Sequence, residues 1–434
     1  MSARAVVLAA LAGCGDNLAP PVPPVPQLDN ARFPAESNPQ LDLLLLVDNS
    51  SSTYQYQLDL GIAAPALLGV LGQLDAMPSL HIGVATSDLG TSSTMGSPAP
   101  SIGTAGNGGC LSSGGDDGRF RHDGLRGGDL FLTDEGGVVN SDLALVDAIA
   151  QMVKVGAGGC GFEQHLGGMR RALTNPANGA FLRSAANLAI VIIGDEDDCS
   201  ARSPSLFDPN DPILGPLASY RCTRAGLACN EDLQSEGVKT GCHSQPESKY
   251  VEDVGTYVDF VAGLKADRRQ ILTAAIVGDP SRVEVASLPP PGGTGPDELT
   301  LVHSCAYTPT AAGLAVADPG VRDAQFATSF GGPVESVCFQ DLTPQLADIG
   351  HAVKRLVGDP CLVGDTSGTC TVTDEYADGR IVDVPPCPAS GDCYAFVAEA
   401  RACPDTSDHR RVNVRRLAPP PLGTFVAVRC AIGM

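Results

Sequence analysis

The sequence predicts an α/β protein built on a doubly wound, mostly parallel sheet, followed by a small disulfide-rich β module. Short, almost continuously apolar segments at residues 41–47, 188–193 and 271–277 are typical of strands buried on both faces of a parallel sheet. Segments with helical spacing of apolar residues alternate with them. Beyond residue 358, short alternating segments and closely spaced cysteines replace this pattern.

The predicted main domain covers residues 41–357. Its first strand carries one charged residue, Asp42, and is followed by Asp48. Pro65 should break or kink the first helix. Gly- and Ser-rich or Cys-containing sequence predicts surface insertions near 90–137 and 199–249. The remaining elements are predicted as strands at 80–86, 188–193 and 271–277 and helices at 54–74, 143–153, 163–173, 250–265 and 342–356.

The N-terminus predicts export. Arg4 precedes an apolar run at residues 5–12 that is too short to span a bilayer. Leu11-Ala12-Gly13-Cys14 resembles the lipobox of bacterial lipoproteins, which implies a signal peptide at 1–13, diacylation of Cys14 and anchoring in the cell envelope. The outer membrane is expected in a Gram-negative cell. A plain cleaved signal with an incidental Cys14 is the alternative, and the Pro-rich residues that complete 14–40 predict a linker.

Composition narrows the function classes. The net charge is −22 with only 28 basic residues, which argues against nucleic-acid binding. Of the 15 cysteines, 14 remain after Cys14, an even number that suits a disulfide-bonded protein from an oxidising compartment. Eight lie in the main domain and six in residues 358–434, so each domain can close its own bridges. We expect local pairs between Cys110 and Cys160 and between Cys305 and Cys338.

A D-x-S-x-S pattern, Asp48-Asn49-Ser50-Ser51-Ser52, follows the first strand. Ligands of doubly wound sheets collect at the carboxyl ends of the strands. Carboxylate and hydroxyl oxygens suit a hard cation such as Mg²⁺. The alternative is that these residues only cap the following helix, because Ser and Asp are favoured there.

This pattern resembles the metal ion-dependent adhesion site of von Willebrand factor A domains, and the resemblance covers about residues 41–357. It implies a vWA-like, Rossmann-like fold and a divalent cation (Mg²⁺, or else Ca²⁺ or Mn²⁺) held by Asp48, Ser50 and Ser52. Through water, the cation would also be held by Asp195. The threonine that the family supplies from a second loop is missing, and Glu163 stands near its position.

That departure bears on the ligand. With Asp48, Asp195 and Glu163 around one divalent cation, the site would be net negative and would hold a ligand carboxylate weakly. Glu163 would then act as an internal ligand. The alternative is that Glu163 simply begins its helix near the positive end of the helix dipole.

Other charged clusters are less specific. The acidic stretch 195–198 could bind Ca²⁺, but a solvated loop explains the residues beyond Asp195. Turn formation beside prolines explains Asp208, Asn210 and Asp211. A basic patch could dock an acidic partner or a polysaccharide, although pairing with the protein's own acidic domain or simple solvation is expected more often; it comprises Arg410, Arg411, Arg415 and Arg416.

The sequence does not predict an enzyme. It contains no G-x-S-x-G elbow, no H-E-x-x-H helix and no phosphate-binding loop, although a hydrolase site assembled in three dimensions stays possible. The main expectation is an envelope lipoprotein whose vWA-like domain mediates adhesion to an unknown protein or polysaccharide at the cell surface. The alternative is an envelope scaffold in which the cation and the disulfides are purely structural.

Overall fold

The computed structural model describes residues 27–36, 38, 40–74, 76–104, 109–289, 295–308, 315–364, 366–400, 403–404, 406–421 and 423–431. The expected signal peptide and Cys14 lie outside these residues. The strands in chain order are β1 (Gln27–Pro34), β2 (Gln40–Val47), β3 (Ser79–Thr86), β4 (Leu132–Glu135), β5 (Val138–Val139), β6 (Asn187–Ile193), β7 (Leu227–Ala228), β8 (Gly237–Lys239), β9 (His243–Ser244), β10 (Ile271–Val277), β11 (Val283–Leu288), β12 (Glu298–Leu301), β13 (Cys305–Tyr307), β14 (Ala315–Ala317), β15 (Val334–Ser336), β16 (Cys370–Glu375), β17 (Ile381–Val384), β18 (Cys393–Ala398), β19 (Arg410–Arg415) and β20 (Phe425–Ala431). The helices are α1 (Tyr54–Leu71), α2 (Leu145–Met152), α3 (His165–Thr174), α4 (Tyr220–Gly226), α5 (Val254–Ala262), α6 (Val321–Thr328) and α7 (Thr343–Val357).

A seven-stranded sheet forms the centre of the molecule, in the order β15-β10-β6-β2-β3-β4-β5. The pairs from β15 to β3 are parallel, and β4 and β5 add an antiparallel edge. The prediction of an α/β protein with a mostly parallel sheet is confirmed. Strand β4 (Leu132–Glu135), predicted as part of the surface insertion near 90–137, instead extends the sheet, because Leu132 buries its side chain beside β3.

Both faces of this sheet are covered by helices, as the apolar strands require. On β2, Leu43 and Leu45 pack with residues of α1, α2 and α7, whereas Leu44 and Leu46 face α3, α5 and α6. The alternation of side chains along a strand therefore divides the core into two layers.

Helix α1 runs unbroken through Pro65, contrary to the predicted break. Apolar residues on both sides of the proline, including Leu60, Ala64 and Leu67, are buried in the core layer shared with α7. Pro65 itself is exposed. Tertiary packing thus outweighs the lost backbone hydrogen bond, which would otherwise favour a break.

A second, antiparallel sheet has the order β1-β20-β16-β17, beside the hairpin of β18 and β19. Its β1 comes from residues 27–34, which the sequence placed in the linker, so that part of the linker prediction is wrong. Ala31 and Phe33 on β1 are buried against Val426 and Val428 on β20. The module boundary at residue 358 stays a proposal, since this sheet also takes a strand from before the main domain.

Seven disulfides join the fourteen cysteines that follow Cys14. Both expected local pairs, Cys110 with Cys160 and Cys305 with Cys338, are present. Four bridges fall before residue 358 and three after it, and none crosses this position, which confirms the predicted split. This content of disulfides is typical of extracellular or surface proteins. Among the described residues, no helix combines the length and apolarity needed to cross a membrane.

Candidate functional site

Two neighbouring strands at the middle of the central sheet lead into the predicted site. β2 and β6 are parallel, with Val47 opposite Ile193. The sheet grows outward from this pair, through β3 and β4 on one side and through β10 and β15 on the other. Ligands of α/β sheets bind outside the carboxyl ends of the strands at such a point. Asp48 follows β2 directly, and Asp195 follows β6 after Gly194.

The loop after β2 brings two hydroxyl groups together. The buried carboxylate of Asp48 accepts a hydrogen bond from the backbone N–H of Ser50 at 2.7 Å, which turns the chain. The Oγ atoms of Ser50 and Ser52 then lie 3.0 Å apart. Ser50 is buried and Ser52 is exposed, so the pair reaches from the interior to solvent.

The capping alternative is not supported. Helix α1 begins at Tyr54 after Thr53, and no side chain accepts a hydrogen bond from its first N–H groups. The hydroxyl of Thr53 instead donates to the carbonyl of Ser50 at 2.8 Å. Both serine hydroxyls therefore remain directed at each other rather than at the helix.

Asp195 lies close to this loop. Burial is the main reason that the pKa of Asp195 is raised well above its ordinary value, and the charges of Asp48 and Glu196 add to the effect. The hydroxyls of Tyr56 and Ser52 face the carboxylate and lower its pKa in part. The structure thus brings Asp48, Ser52 and Asp195 to one end of the sheet.

Glu163 also reaches this end of the sheet, but it is not part of a helix. Helix α3 begins at His165, two residues later than predicted, and Gln164 is its N-cap residue. Burial, Glu196 and Asp48, in this order, raise the pKa of Glu163 well above its ordinary value. Its side chain is in contact with that of Glu196, which is its nearest carboxylate partner.

Several buried carboxylate oxygens at this end form no hydrogen bond within the described part of the chain. They belong to Asp48, Glu163, Asp195, Glu196 and Asp197. A cavity of about 10 Å³, lined by Glu163, Glu196 and Asp197, has room for about one water molecule. Asp48 and Asp195 do not line this cavity, so their unpaired oxygens, Asp48 Oδ2 and Asp195 Oδ1, need another partner.

His165 is a cationic group close to Asp48, and the sequence analysis did not identify it as part of the site. Its Nδ1 lies 2.8 Å from Oδ2 of Asp323, and its Nε2 lies 3.9 Å from Oδ2 of Asp48. Burial lowers the pKa of His165, but Asp323 and Asp48 raise it well above the ordinary value. Gly194 makes this approach possible, since a Cβ there would lie 2.7 Å from the imidazole ring.

A distance of 3.9 Å is too long for a hydrogen bond, so His165 does not satisfy Asp48. Ser87, directly after β3, offers only a contact of 3.5 Å to Oδ1 of the same carboxylate. The sequence could have indicated Ser87, because it directly follows a predicted strand. His165 carried no such signal, because its contact depends on how α3 packs on the sheet.

The donor set can be tested for a cation. No group of three or more His, Cys, Asp or Glu side chains within the described ranges is arranged to hold a metal ion. The oxygen groups that a cation could contact here are two carboxylates, Asp48 and Asp195, and two hydroxyls, Ser50 and Ser52. Such oxygen ligands fit Mg²⁺, which commonly keeps several waters. Glu163 as a further ligand stays a prediction.

The acidic stretch beyond Asp195 is not a solvated loop, contrary to the expectation. Asp198 is buried and forms an ion pair with Arg322 at 2.8 Å. Asp197 is also buried and accepts hydrogen bonds from the backbone N–H groups of Asp198 and Arg322. These carboxylates hold the loop after β6 against the start of α6 because a distant arginine neutralises them.

The other charged clusters have structural roles. Asp208 and Asp211 each accept hydrogen bonds from N–H groups two residues further along, which confirms turn formation. The arginines of the predicted basic patch find partners inside the C-terminal region instead of in the acidic main domain. Arg416 binds Asp374 through both guanidinium nitrogens, Arg411 pairs with Glu399, Arg410 lies near Asp408, and Arg415 donates to the carbonyl of Ala389.

Comparison with known proteins gives similarity at the level of structure only. No protein-family model matches the sequence, and no curated protein matches it. Among solved structures, the conserved hypothetical protein BatB from Bacteroides thetaiotaomicron matches with 10% identity and a TM-score of 0.28, over 73% of this chain and 98% of that one.

Two further matches concern a von Willebrand factor type A protein and an adhesin. The former, from Catenulispora acidiphila, has 9% identity and a TM-score of 0.31 over 94% of this chain and 67% of its own. The pilus adhesin RrgA from Streptococcus pneumoniae has 12% identity and a TM-score of 0.31 over 93% and 58%. Similarity this low assigns no family, and the site rests on the contacts described above.

Proposed function

We propose that the chain is a cell-surface binding protein whose main domain, a doubly wound and vWA-like fold, holds a divalent cation for adhesion. Counted along the chain as β2, β3, β4, β6, β10 and β15, the strands have the spatial order 3-2-1-4-5-6. This is the order of doubly wound sheets, whose ligands bind where the order reverses. The reversal lies between β2 and β6, next to Asp48 and Asp195.

One observation carries the proposal: a buried carboxylate oxygen of Asp48 and one of Asp195 have no hydrogen-bond partner among the described residues. Buried carboxylates are costly unless a positive charge or hydrogen bonds compensate them. In our proposal Asp48, Ser50 and Ser52 hold Mg²⁺, and Asp195 holds it through water. The cation supplies a Lewis-acidic point at the surface that an oxygen atom of a ligand can approach beside the exposed Ser52.

The ligand class follows from charge. Two carboxylates balance one divalent cation, and further carboxylates lie close by: besides burial, Glu196 and Asp48 raise the pKa of Glu163, and Asp48 and Glu196 raise the pKa of Asp195. An acidic ligand is therefore disfavoured. We propose a neutral oxygen donor, such as the hydroxyl groups of a polysaccharide or a backbone carbonyl of a protein.

Calorimetry on the full chain tests the cation site with Mg²⁺, Mn²⁺ and Ca²⁺. We expect one cation per chain, and binding at least ten times weaker in Asp48→Ala and Asp195→Ala. Asp142→Ala is the matched control, because this exposed carboxylate only pairs with Arg126 on the surface. Absence of binding in the unchanged protein, or equal binding in all variants, would refute the site.

The structural-scaffold alternative predicts a different result with a chelator. Binding of the intact protein to cell-surface polysaccharide or protein should disappear with chelator if the cation contacts the ligand. It should persist if the cation only stabilises the fold. The burial of Asp48 and Asp195 favours this scaffold function, because a cation held by buried carboxylates can stabilise the fold without touching a ligand.

Anchoring by lipid on Cys14 completes the proposal. Two or more acyl chains hold a protein stably on a membrane, whereas one does so only marginally. Mass spectrometry of the mature N-terminus should find lipid on Cys14. Cys14→Ser should move the protein from the membrane fraction to the soluble fraction, and unchanged membrane retention would contradict the anchor.

A further inference from the structure

A basic groove lies at the end of the sheet opposite to Asp48. It has a volume of about 670 Å³ and runs between the amino end of β10 and the C-terminal sheet. Its lining includes four arginines and no acidic side chain. The arginines come from three separate places, namely β1, the segment before β10, and α7: Arg32, Arg268, Arg269 and Arg355. The groove therefore carries basic side chains although the net charge of the whole chain is −22.

The four arginines differ in how their charges are balanced. Arg32 forms an ion pair with Glu375 at 2.9 Å, and Arg269 forms one with Asp267 at 2.6 Å. Both also stack on Phe425, at 4.5 and 4.3 Å from the ring centre. These two guanidinium groups are therefore held in place by the fold and contribute little free charge.

Arg268 and Arg355 form no ion pair within the described residues. Arg268 donates to the carbonyl of Ser329 at 2.8 Å and stacks on Phe330 at 4.5 Å, which fixes its guanidinium at the groove. Its positive charge has no carboxylate partner there. A fixed guanidinium with spare donors is suited to bind the oxygens of an anion.

Arg355 gives the second indication. Its guanidinium is partly buried and forms no hydrogen bond in the part of the chain that the structure describes. Burial lowers the pKa of Arg355, while the nearby Asp359 and Asp348 raise it. The preceding Lys354 takes Asp359 as its ion-pair partner at 3.3 Å. Its unpaired donors are accessible from the groove, so an oxyanion there could accept hydrogen bonds from Arg355.

The walls of the groove are apolar. Ile271, Leu272 and Phe425 line it as buried side chains, and Phe330 and Leu356 are partly exposed in it. A small inorganic anion would use the guanidinium groups and leave Phe330 and Leu356 in contact with water. An amphiphile would use both, because its anionic group would face the arginines and its hydrocarbon would cover the apolar surface.

We propose that this groove binds the phosphate group of an anionic phospholipid in the membrane that carries the anchor. The inference rests on the proposed lipidation of Cys14. The segment between Cys14 and Gln27 extends at most about 45 Å, and Arg32 lies on the strand that follows. The groove is thus within reach of the bilayer surface. Repulsion between the acidic surface and the bilayer is screened beyond about 8 Å at physiological salt.

Vesicle binding tests the groove without the anchor. The full chain with Cys14→Ser is mixed with phosphatidylcholine vesicles, with and without phosphatidylglycerol, and with chelator so that no cation bridges lipid to Asp48. We expect binding only with phosphatidylglycerol. Arg268→Gln and Arg355→Gln should each weaken it about fivefold, and together about 25-fold. Arg126→Gln, an exposed arginine outside the groove, should leave it unchanged.

Each outcome decides the proposal. Equal binding by the double variant, or no binding of the Cys14→Ser chain to either vesicle, overturns it. Tight binding of inorganic phosphate without vesicle binding overturns the phospholipid in favour of a small anion. Thermal unfolding of each variant confirms that it is folded. Mass spectrometry of the unchanged protein reports on the anchor separately, so failure of the anchor and failure of the groove are distinguishable.

Discussion

Two buried aspartates at opposite ends of β2 show how differently this protein treats the same chemical group. Asp42 and Asp48 are both fully shielded from solvent. Asp42 accepts hydrogen bonds at 2.8 Å from Nε and from the backbone N–H of Arg183. It also contacts Lys265 at 3.3 Å and His81 at 3.9 Å. Asp48 leaves one oxygen unpaired and has Asp195 in its vicinity.

The difference teaches that the fold can neutralise a buried carboxylate where no ligand is needed. At Asp42 the loop before β6 and the segment after α5 supply two cations. At Asp48 the chain supplies a carboxylate, hydroxyl groups and the imidazole of His165, which stays 3.9 Å from the carboxylate and pairs with Asp323 at 2.8 Å. A positive charge in direct contact with Asp48 is consequently expected from outside the chain.

The largest effect should come from Asp42→Asn. This change leaves the guanidinium of Arg183 and the ammonium of Lys265 without their buried counter-charge. Breaking a buried pair in this way should lower the free energy of unfolding by about 3–5 kcal/mol. Denaturant unfolding measures this loss of free energy. A loss below about 1 kcal/mol would show that Asp42 does not compensate the charges of Arg183 and Lys265.

Magnesium should have the next largest effect. At a concentration about 100 times its Kd, a cation that binds only the folded state raises the free energy of unfolding by about 2.7 kcal/mol. We expect this increase in the unchanged protein and its loss in Asp48→Ala. Thermal unfolding with Mg²⁺ and with chelator measures both. An equal increase in Asp48→Ala would place the cation elsewhere.

Asp48→Asn, the same substitution as at Asp42, should act in the opposite direction without cation. Removing one charge from a group of unpaired buried carboxylates relieves repulsion with Asp195. We expect the free energy of unfolding in chelator to stay equal or to rise by about 1 kcal/mol. A loss as large as that of Asp42→Asn would contradict the comparison between the two ends.

The remaining effect concerns pH. Burial is the main cause that raises the pKa of Glu196 from its ordinary 4.5 to about 7. A carboxyl group with a raised pKa in the folded state stabilises the fold below the ordinary value, and this stability is lost as pH rises to about 7. With chelator, the thermal unfolding temperature should therefore decrease as the pH rises from 4.5 to about 7.

Two controls sharpen this measurement. Glu196→Gln should reduce the decline, because an amide does not titrate in this range; the part that remains is expected from Asp195 and Glu163, whose pKa values are also raised. Saturating Mg²⁺ should reduce it through stabilisation of the ionised carboxylates nearby. A stability that rises from pH 4.5 to 7 in the chelated protein would contradict the pKa direction given for Glu196.

Much of the architecture was predictable because it depends on local patterns. Continuous apolar segments can only be satisfied by strands buried on both faces, and β2, β6 and β10 appear where these segments lie. The place of Asp48, Ser50 and Ser52 after β2 followed from the same reasoning. The even number of cysteines after Cys14 indicated complete pairing, which the seven bridges confirm.

Other features depended on contacts between residues far apart in the chain. Asp198 was expected in a solvated loop, yet Arg322 pairs with it in the interior. Residues 27–34 were expected in a linker, yet they pair with β20 at the far end of the chain. The periodicity of apolar residues describes a single segment. The ion pair of Asp198 and the strand pairing of residues 27–34 depend instead on partners that are distant in the chain.

The sequence by itself determined that a buried parallel sheet would form, that carboxylate and hydroxyl groups would follow the strand at residues 41–47 and that the cysteines could all pair. Only the tertiary structure decided that Asp42 forms close ion pairs with Arg183 and Lys265, whereas one oxygen of Asp48 has no hydrogen bond. It also decided that four arginines from three regions share one groove. The physical reason is that burial follows from local composition, but charge compensation depends on distances between side chains that chain separation does not reveal.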